Sequence, residues 1–476
     1  MSALEIGRPR RKFSPGPGLV YAILVLVVLA GGYLLVPRFE WHRPQIKIVP
    51  DTDTIGVAPL EIAVTEQGRG LKSLTAVLTS GGTEHSLVSE QYDQRVMEKK
   101  VTVGLAKITG LKEGPAVLRV TARDRSWWNF FRGNEAVVQK NLTIDVTPPT
   151  LELVADDRYV NFGGVGVIVY KPSSDTITSG VKIGNYFFPG YKGQVKAHPD
   201  QYIVFFAHPY NVGEGEKASL VATDRAGNTR EMNLVYELKN VKYKKSSIRI
   251  DDNFIQQKVA PLLNDVAMRQ GSPKEIFIKV NKNLRKENED KIRSITEKET
   301  PTILWHDAFS QLSNSKVEAN FADARTYVYN GEAIDSAYHL GYDLSVTKHY
   351  PAEAANSGTV AFVGDLGIYG NTVIIDHGLG LFTLYGHLSS IDVKVGDQLK
   401  QRQLIGKTGE TGLAAGDHLH FGVYLHGLAV LPVEWWDQKW INDNVNPKFE
   451  GATDSETAET VKTSKAGAKT SRKRKR

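Results

Sequence analysis

The chain has 476 residues, of which 41% are hydrophobic and 24% charged, a composition typical of several folded domains and not of a disordered or collagen-like protein. It contains no cysteine, which excludes disulfide frameworks, thiol catalysis and metal sites built on cysteine. The net charge is +6, and much of the excess lies near the two chain ends, so it says little about the folded middle.

An uncharged apolar segment lies near the N-terminus. As a helix, residues 19–36 would span about 27 Å, close to the hydrocarbon thickness of a bilayer. Four basic residues precede the segment within residues 1–18, and Arg38 and Arg43 follow it. This balance predicts a single transmembrane helix in the lipid bilayer, with residues 1–18 as a basic cytoplasmic segment. A signal peptide cleaved near Val28-Leu29-Ala30 is the alternative, but the apolar run continues to Val36 and favours a retained anchor.

Residues 45–147 and 148–240 each show short alternating apolar runs separated by Gly, Asn, Asp and Pro, the pattern of antiparallel strands. Pro148-Pro149 marks the boundary, because two prolines cannot continue a β-ladder. Residues 120–125 (VTARDR) recur as residues 220–225 (LVATDR), 100 residues later. A repeat of this period is typical of one β-sandwich per copy.

The second copy continues as Ala226-Gly227-Asn228 after Asp224-Arg225. This resembles the immunoglobulin-like domains of bacterial surface proteins, whose closing strands carry Asp-x-x-Gly-Asn and whose linkers carry Thr-Pro-Pro. The resemblance implies two immunoglobulin-like β-sandwiches that act as spacers or binding modules. The aromatic cluster within residues 127–131 is expected to be core, with a binding patch as the alternative.

Residues 245–300 are predicted to be a short helical linker, since apolar residues recur at helical spacing from Phe254 to Val266. Ser272-Pro273-Lys274-Glu275 predicts a capping box with proline at the first helical position. Residues 451–476 are dominated by Ser, Thr, Ala, Glu, Lys and Arg and are predicted to be a disordered basic tail. Outside the membrane, anionic envelope polymers or lipid headgroups are its expected partners, a merely solubilising tail is the alternative, and no nucleic acid is expected.

Histidines are concentrated near the C-terminus, where seven of the twelve lie between His339 and His426. His418 and His420 are two apart and would face the same side of a strand. His339 and Asp343 share strand parity but would be about 13 Å apart if fully extended, and Gly341 between them allows a bend. Two histidines and one aspartate form a donor set suited to zinc, with a fourth position left for water.

The surrounding sequence resembles the lysostaphin-type zinc endopeptidases, which cut peptidoglycan peptides, and it does so over residues 320–436. The motifs that carry this resemblance are His339-Leu340-Gly341-Tyr342-Asp343, Gly370-Asn371-Thr372-Val373-Ile374-Ile375-Asp376-His377-Gly378, Thr383-Leu384-Tyr385-Gly386-His387-Leu388 and Gly416-Asp417-His418-Leu419-His420-Phe421. The resemblance implies an all-β peptidase domain over residues 318–440. The fold class is therefore predicted to be mainly β.

The resemblance also implies roles for individual residues. His339, Asp343 and His420 match the family's ligands for one zinc ion, and His387 and His418 match its two catalytic histidines. The family usually has Glu after the His-Leu-His-Phe run, whereas this chain has Gly422. His349, His377 and His426 match no ligand position and are expected to be structural.

These features predict a single-pass protein of the bacterial cytoplasmic (inner) membrane, with its N-terminus inside and its catalytic domain in the periplasm or otherwise outside the cytoplasm. It would act on peptidoglycan as a zinc metalloendopeptidase, with the bond that it cuts left open. One alternative is a non-catalytic regulator of wall hydrolases or an envelope scaffold with the same fold. Another is an active peptidase on secreted proteins.

Overall fold

The computed structural model describes residues 17–35, 38–105 and 112–451, and the described chain is mainly β, as predicted. It divides into two compact units. Unit 1 contains residues 1–148 and 224–228, and unit 2 contains residues 149–223 and 229–476. The basic stretch before residue 17 and the tail after residue 451, both predicted from sequence, lie outside the described residues.

The first element is helix α1, Pro17–Leu35. Within the described ranges no helix is both long and apolar enough to cross a membrane, so the transmembrane helix predicted at residues 19–36 is not confirmed.

The strands of unit 1 form a three-stranded sheet of order β1-β3-β6 and a five-stranded sheet of order β2-β8-β7-β4-β5. These strands are β1 Gln45–Val49, β2 Thr54–Ile55, β3 Leu60–Thr65, β4 Leu71–Ser80, β5 Thr83–Val96, β6 Glu98–Val103, β7 Gly114–Asp124 and β8 Glu135–Ile144. In β7, Ala116, Leu118, Val120 and Ala122 are buried and alternate with less buried residues. This period of two places one face of the strand in the core of unit 1.

An Asp–Asn pair closes the first copy of the sequence repeat. Asp124, the last residue of β7, accepts the backbone N–H of Asn134 through Oδ1 at 2.7 Å and its side-chain amide through Oδ2 at 2.8 Å. The same amide donates to the backbone carbonyl of Glu40 at 2.8 Å. The pair therefore fixes the segment that follows α1 to the end of β7.

The second copy repeats this arrangement. Asp224 accepts the backbone N–H of Asn228 at 2.9 Å and its side-chain amide at 2.9 Å, and this amide donates to the carbonyl of Asp145 at 3.0 Å. The same Asp–Asn hydrogen-bonding arrangement therefore occurs in both copies of the sequence repeat.

The aromatic cluster beside the first copy is not the core that the sequence predicted. Residues 128–131 form the short helix α2, Trp128–Phe131, which buries none of its residues. Phe130 is 91% and Phe131 64% exposed. The prediction failed because the cluster lies in a connection between β7 and β8 and not on a strand face.

Unit 2 begins with two four-stranded sheets, of orders β14-β15-β11-β9 and β13-β12-β16-β17, and a parallel pair β10-β18. The strands are β9 Leu151–Ala155, β10 Tyr159–Asn161, β11 Val165–Pro172, β12 Thr176–Ile183, β13 Tyr186–Pro189, β14 Tyr191–Lys192, β15 Tyr202–Ala207, β16 Ala218–Asp224, β17 Thr229–Asn233 and β18 Glu237–Lys239.

The region predicted as a helical linker begins with a strand, β19 Lys245–Ile250, and continues with helices α3 Asp252–Phe254, α4 Pro273–Ile278 and α5 Arg285–Thr296. β19 pairs in parallel with β21 Ala324–Tyr329, which joins the region to the sheet that follows. The predicted capping box is confirmed, because the Ser272 and Glu275 side chains cap each other's backbone N–H groups at the start of α4.

The remaining strands include an extended antiparallel sheet of order β20-β23-β31-β27-β26-β25-β29, with β32 paired to β31. The strands are β20 Lys316–Ala319, β22 Glu332–Tyr338, β23 Tyr342–Ser345, β24 Pro351–Glu353, β25 Gly358–Asp365, β26 Asn371–Asp376, β27 Leu381–Gly386, β28 Ser390–Ile391, β29 Gln398–Leu399, β30 Leu404–Lys407, β31 Leu419–Leu425 and β32 Leu428–Val430. The chain then forms α6 Pro432–Trp436, α7 Gln438–Trp440 and α8 Asn446–Glu450.

The two parts of unit 2 share one hydrophobic core. Trp435 of α6 is fully buried and packs against Phe205 of β15, with ring centroids 6.0 Å apart. The neighbouring Glu434 carboxylate accepts the Asn161 side-chain amide at 2.7 Å and the Val165 backbone N–H at 2.8 Å. The strands of residues 151–239 are thus packed against the C-terminal sheet and are not connected to it by a flexible linker alone.

His377 is a buried structural histidine of this core. Its Nδ1 lies 2.7 Å from the Ser357 carbonyl oxygen, and its Nε2 lies 2.7 Å from the Thr383 hydroxyl. Burial lowers the pKa of His377 from 6.5 to about 4, partly opposed by the bond to Ser357. The unfolded chain therefore binds a proton between these pH values that the folded chain does not.

We expect the stability contributed by neutral His377 to be lost as pH falls from 6.5 to 4. The loss is on the order of 2–3 kcal/mol. Urea unfolding of wild type and His377→Gln across this range checks it, because the variant keeps every other histidine and its curve should be flatter. Parallel curves for the two proteins would contradict the assignment.

Candidate metal centre and cleft

The centre is built on two neighbouring strands and the turn that precedes one of them. β23 and β31 are antiparallel, and their register places Asp343 directly opposite His420. His339 lies in the turn between β22 and β23, so the chain folds back and does not extend over about 13 Å as a straight strand would. The turn brings the His339 ring onto the pair.

Three donor atoms converge. His339 Nε2 lies 2.9 Å from Asp343 Oδ1 and 3.1 Å from His420 Nδ1, and His420 Nδ1 lies 3.1 Å from the same carboxylate oxygen. All three residues have at most intermediate exposure. A tetrahedral zinc site brings its donor atoms to about this separation, since its ligand bonds are about 2.0–2.2 Å long.

Protonation states make the same set suitable for a cation. The other nitrogen of His339, Nδ1, lies 2.9 Å from the carbonyl oxygen of Asn320, which only accepts hydrogen bonds. Neutral His339 therefore carries its proton on Nδ1 and directs the Nε2 lone pair at the other two donors. Burial raises the pKa of the Asp343 carboxyl, but the neighbouring histidines outweigh burial and hold this pKa well below its ordinary value.

Gly341 provides the room for this arrangement. A Cβ at this position would lie 2.5 Å from the Phe421 carbonyl oxygen and 2.7 Å from His420 Nε2. Any larger residue would push against the strand that carries His420. Glycine is thus required here by the close approach of the neighbouring strand.

The two histidines that match the family's catalytic pair lie side by side. The ring centroids of His387 and His418 are 4.7 Å apart. His387 Nδ1 lies 2.8 Å from the Thr411 carbonyl oxygen, and His418 Nδ1 lies 2.8 Å from the Gly416 carbonyl oxygen. In the neutral state both Nδ1 atoms are therefore donors. Nε2 of His418 lies 3.4 Å from Asp343 Oδ1 and so faces a carboxylate oxygen.

The environments of the pair differ. His387 is buried and has a positive φ of 63°, an uncommon conformation for a non-glycine residue. Burial, followed by the charges of the neighbouring histidines, lowers the pKa of His387 to about 3. Burial acts in the same direction on His418, but the hydrogen bond and charge of Asp343 outweigh it, so the pKa of His418 is raised.

Arg325 is a residue that the sequence reasoning missed. Its guanidinium Nη2 lies 3.3 Å from Asp343 Oδ2, the carboxylate oxygen that does not face the histidines. This contact orients the carboxylate from behind. Arg325 lies on β21, outside the motifs, and nothing in its sequence context singles it out.

The five residues line a cavity of about 370 Å³. Its lining also includes residues of the region predicted as a linker, namely Ile248 and Arg249 of β19, Phe277 of α4 and Arg285 of α5, which form one wall of the cleft. The parallel pairing of β19 with β21 brings this wall to the centre, and local sequence patterns do not reveal such a long-range pairing.

The departure at Gly422 also has a structural context. Gly422 lies on β31 opposite Leu384 of β27, and a Cβ at this position would lie 2.8 Å from the ring of Tyr424. The aromatic ring therefore occupies the space into which a side chain would project. His426 lies away from the centre, with Nδ1 3.1 Å from the Glu299 carboxylate, and His349 Nδ1 lies 3.0 Å from the Ser389 hydroxyl.

Comparison with known families relates the C-terminal part of the chain to metallopeptidases. Residues 337–432 match the model of Peptidase family M23, and the chain therefore carries a domain of this lysostaphin-type family in its C-terminal part. Peptidases of this family are zinc metalloproteases.

Two curated relatives show the extent of the similarity. The chain is 38% identical over 95 residues to the DD-carboxypeptidase/endopeptidase Mpg of Neisseria meningitidis serogroup B, which covers 20% of this chain and 22% of the relative. It is 32% identical over 118 residues to the peptidoglycan DD-endopeptidase ShyA of Vibrio cholerae, which covers 25% and 27%. The chain thus spans about a quarter of the length of these relatives.

Among solved structures, the catalytic domain of lysostaphin from Staphylococcus simulans aligns with 28% of this chain and 98% of its own, at 27% identity and a TM-score of 0.23.

We expect Gly341→Ala to weaken zinc binding by at least about ten-fold, because the added methyl group meets His420 and shifts a ligand. Competition with a chelator measures the affinity. Gly416→Ala is the matched control, since its Cβ position has no atom within 4 Å. Equal zinc affinity in Gly341→Ala and Gly416→Ala would contradict the close-approach argument.

Proposed function

We propose that this protein is a zinc metalloendopeptidase that hydrolyses amide bonds in the crosslinks or stem peptides of bacterial peptidoglycan. The observation that carries the proposal is the convergence of His339 Nε2, His420 Nδ1 and Asp343 Oδ1 within 3.1 Å of one another, beside a second pair of histidines in an open cleft. The names of the M23 relatives support the substrate class.

The donor set fits zinc. Two imidazole nitrogens and one carboxylate oxygen are common catalytic zinc ligands, and three protein ligands leave a coordination position open. A bound zinc ion would polarise the scissile carbonyl group and lower the pKa of water.

The chain's own residues supply proton transfer and orientation. His387 and His418 each hold Nδ1 against a backbone carbonyl, and Nε2 of His418 also lies 3.4 Å from Asp343 Oδ1. Through Nε2, either imidazole can accept a proton from the attacking water or return one to the leaving amine. Arg325 keeps the Asp343 carboxylate in place. Across the cleft, Arg249 and Arg285 offer positive charge to the carboxylates that peptidoglycan stem peptides carry.

Digestion of purified peptidoglycan by the zinc-loaded full chain tests the proposal. We expect new peptide ends in the soluble products, identified by mass, and a loss of rate of at least about 1,000-fold in His420→Ala because the metal centre is incomplete. His85→Ala, on an exposed strand of unit 1, is the control and should act like wild type.

Peptide release by His420→Ala at the wild-type rate would refute metal-dependent hydrolysis by this centre. A wild-type chain that neither binds zinc nor releases peptides would instead favour a non-catalytic regulator of the same fold. Zinc binding without release from peptidoglycan would direct the search to protein substrates.

We further propose that residues 19–36 anchor the protein in the bacterial cytoplasmic membrane, with the peptidase domain outside the cytoplasm. The support is the uncharged apolar run and the basic residues that precede it. We expect the full chain to stay in the membrane pellet after carbonate washing and to be released only by detergent, and a variant lacking residues 1–37 to be soluble. Release of the intact chain by carbonate would contradict the anchor, and a mature N-terminus near residue 31 would show cleavage.

A further inference from the structure

Unit 1 contains a second cluster of ionisable groups, made of three carboxylates and no histidine. Oxygen atoms of Glu40, Glu66 and Asp124 all lie within 4.8 Å of one another. Glu66 is 4% exposed and Asp124 is fully buried, while Glu40 is partly buried. Glu66 follows β3, Asp124 ends β7, and Glu40 lies between α1 and β1, so the cluster joins three separate parts of the chain.

The charge of this cluster is not matched by a salt bridge in the described part of the chain. Among the residues that the structure describes, none of the three carboxylates lies within 4.0 Å of a Lys, Arg or His nitrogen in an ion pair. Three acidic groups this close and this buried repel one another unless a proton or a cation lies between them. Within the described residues, therefore, no salt bridge offsets the charge of these carboxylates.

The hydrogen bonds of the cluster leave one buried oxygen without a donor. Glu66 Oε1 accepts the Gly68 backbone N–H at 2.9 Å, but Glu66 Oε2 is buried and has no hydrogen-bond partner. Asp124 accepts N–H groups through both oxygens, which is the pattern of an ionised carboxylate. Glu40 Oε2 accepts the Arg69 backbone N–H at 2.8 Å.

The backbone is shaped around these oxygens. A Cβ on Gly68 would lie 1.7 Å from Glu40 Oε1, so only glycine allows the carboxylate to approach the turn after Glu66. The turn at residues 66–69 thus donates two N–H groups to the cluster, one to Glu66 Oε1 and one to Glu40 Oε2.

We propose that Glu40, Glu66 and Asp124 form a binding site for a divalent hard cation of the calcium class. An all-oxygen donor set with three carboxylates suits such a cation, and ligand bonds of about 2.3–2.6 Å allow ligand oxygens up to about 5 Å apart, a limit that these oxygens satisfy. The absence of nitrogen donors among the three sets this site apart from the histidine centre of unit 2.

The cation would link the segment after α1 to the two sheets of unit 1. That segment is already held through the Glu40 carbonyl, which accepts the Ser126 hydroxyl at 2.9 Å and the Asn134 amide at 2.8 Å. A cation on the Glu40 side chain adds a link to β3 and β7 at the same residue. Cation binding therefore stabilises unit 1 and its connection to α1.

Terbium luminescence on the full chain tests the site. Tb³⁺ replaces Ca²⁺ and is excited through nearby tryptophans, and Trp41 lies one residue from Glu40. The protein is saturated with zinc beforehand, and a parallel series uses the His420→Ala variant. Both measures prevent the histidine centre from contributing to the terbium signal. We expect one site, Ca²⁺ competition, and a rise in the unfolding midpoint with added CaCl₂.

Glu66→Gln should weaken Ca²⁺ competition by at least about ten-fold, because it removes a charged ligand. Glu61→Gln is the matched control, because Glu61 lies on β3, the strand that precedes Glu66, and outside the cluster. This variant should bind Ca²⁺ as the wild type does. If Glu66→Gln does not fold, Glu40→Gln, at the less buried ligand, gives the same comparison.

Absence of binding by the wild-type chain at Ca²⁺ concentrations up to about 10 mM would overturn the proposal and would leave a proton shared between the two glutamates as the neutralising group. Equal binding by wild type, Glu66→Gln and Glu40→Gln would also overturn it, since the cation would then be held elsewhere.

Discussion

The C-terminal part of this protein depends on one cross-strand pairing, Asp343 opposite His420. The antiparallel register of β23 and β31 fixes the carboxylate against the imidazole, and the turn at Gly341 adds His339 to them. A shift of either strand by one residue would send both side chains to the other face of the sheet. The extensive sheet around the pair, and the core shared with residues 151–239, make such a shift costly.

This arrangement of the centre lowers the stability of the folded chain. Two imidazole nitrogens face each other at 3.1 Å, the Nε2 of His420 is buried without a partner, and His387 keeps an uncommon backbone conformation. The unpartnered nitrogen and the uncommon conformation are unfavourable, because a buried polar atom lacks its hydrogen bond and the backbone lies in a sparsely populated region. The 3.1 Å approach of the two imidazoles is a hydrogen bond that needs a proton on one of them. A cation would replace this proton and would be held only by the folded arrangement, so metal binding and folding of this region are expected to be coupled.

Much of the fold class was accessible from sequence, because strand alternation is a local pattern. The spacing of His418 and His420 is local as well, whereas His387 was identified only through the family resemblance. The features that the sequence did not predict depend on contacts between distant parts of the chain. Arg325 behind Asp343 and Arg249 on the cleft wall are positioned by β19 and β21, which are far apart in sequence. Phe130 was expected in the core because its neighbours are aromatic, yet it lies in a connection and is exposed. The carboxylate cluster at Glu66 gave no signal, since its members come from three distant segments.

The parallel ladder between β19 and β21 has a mechanical consequence. Six residue pairs, from Lys245 with Ala324 to Ile250 with Tyr329, join the cleft wall to the strand that carries Arg325. A wall anchored in this way cannot move away from the centre without breaking the hydrogen bonds of the ladder. The cleft therefore keeps a constant width. For the proposed peptidase activity, such a cleft would accept a single extended peptide more readily than the surface of a folded protein.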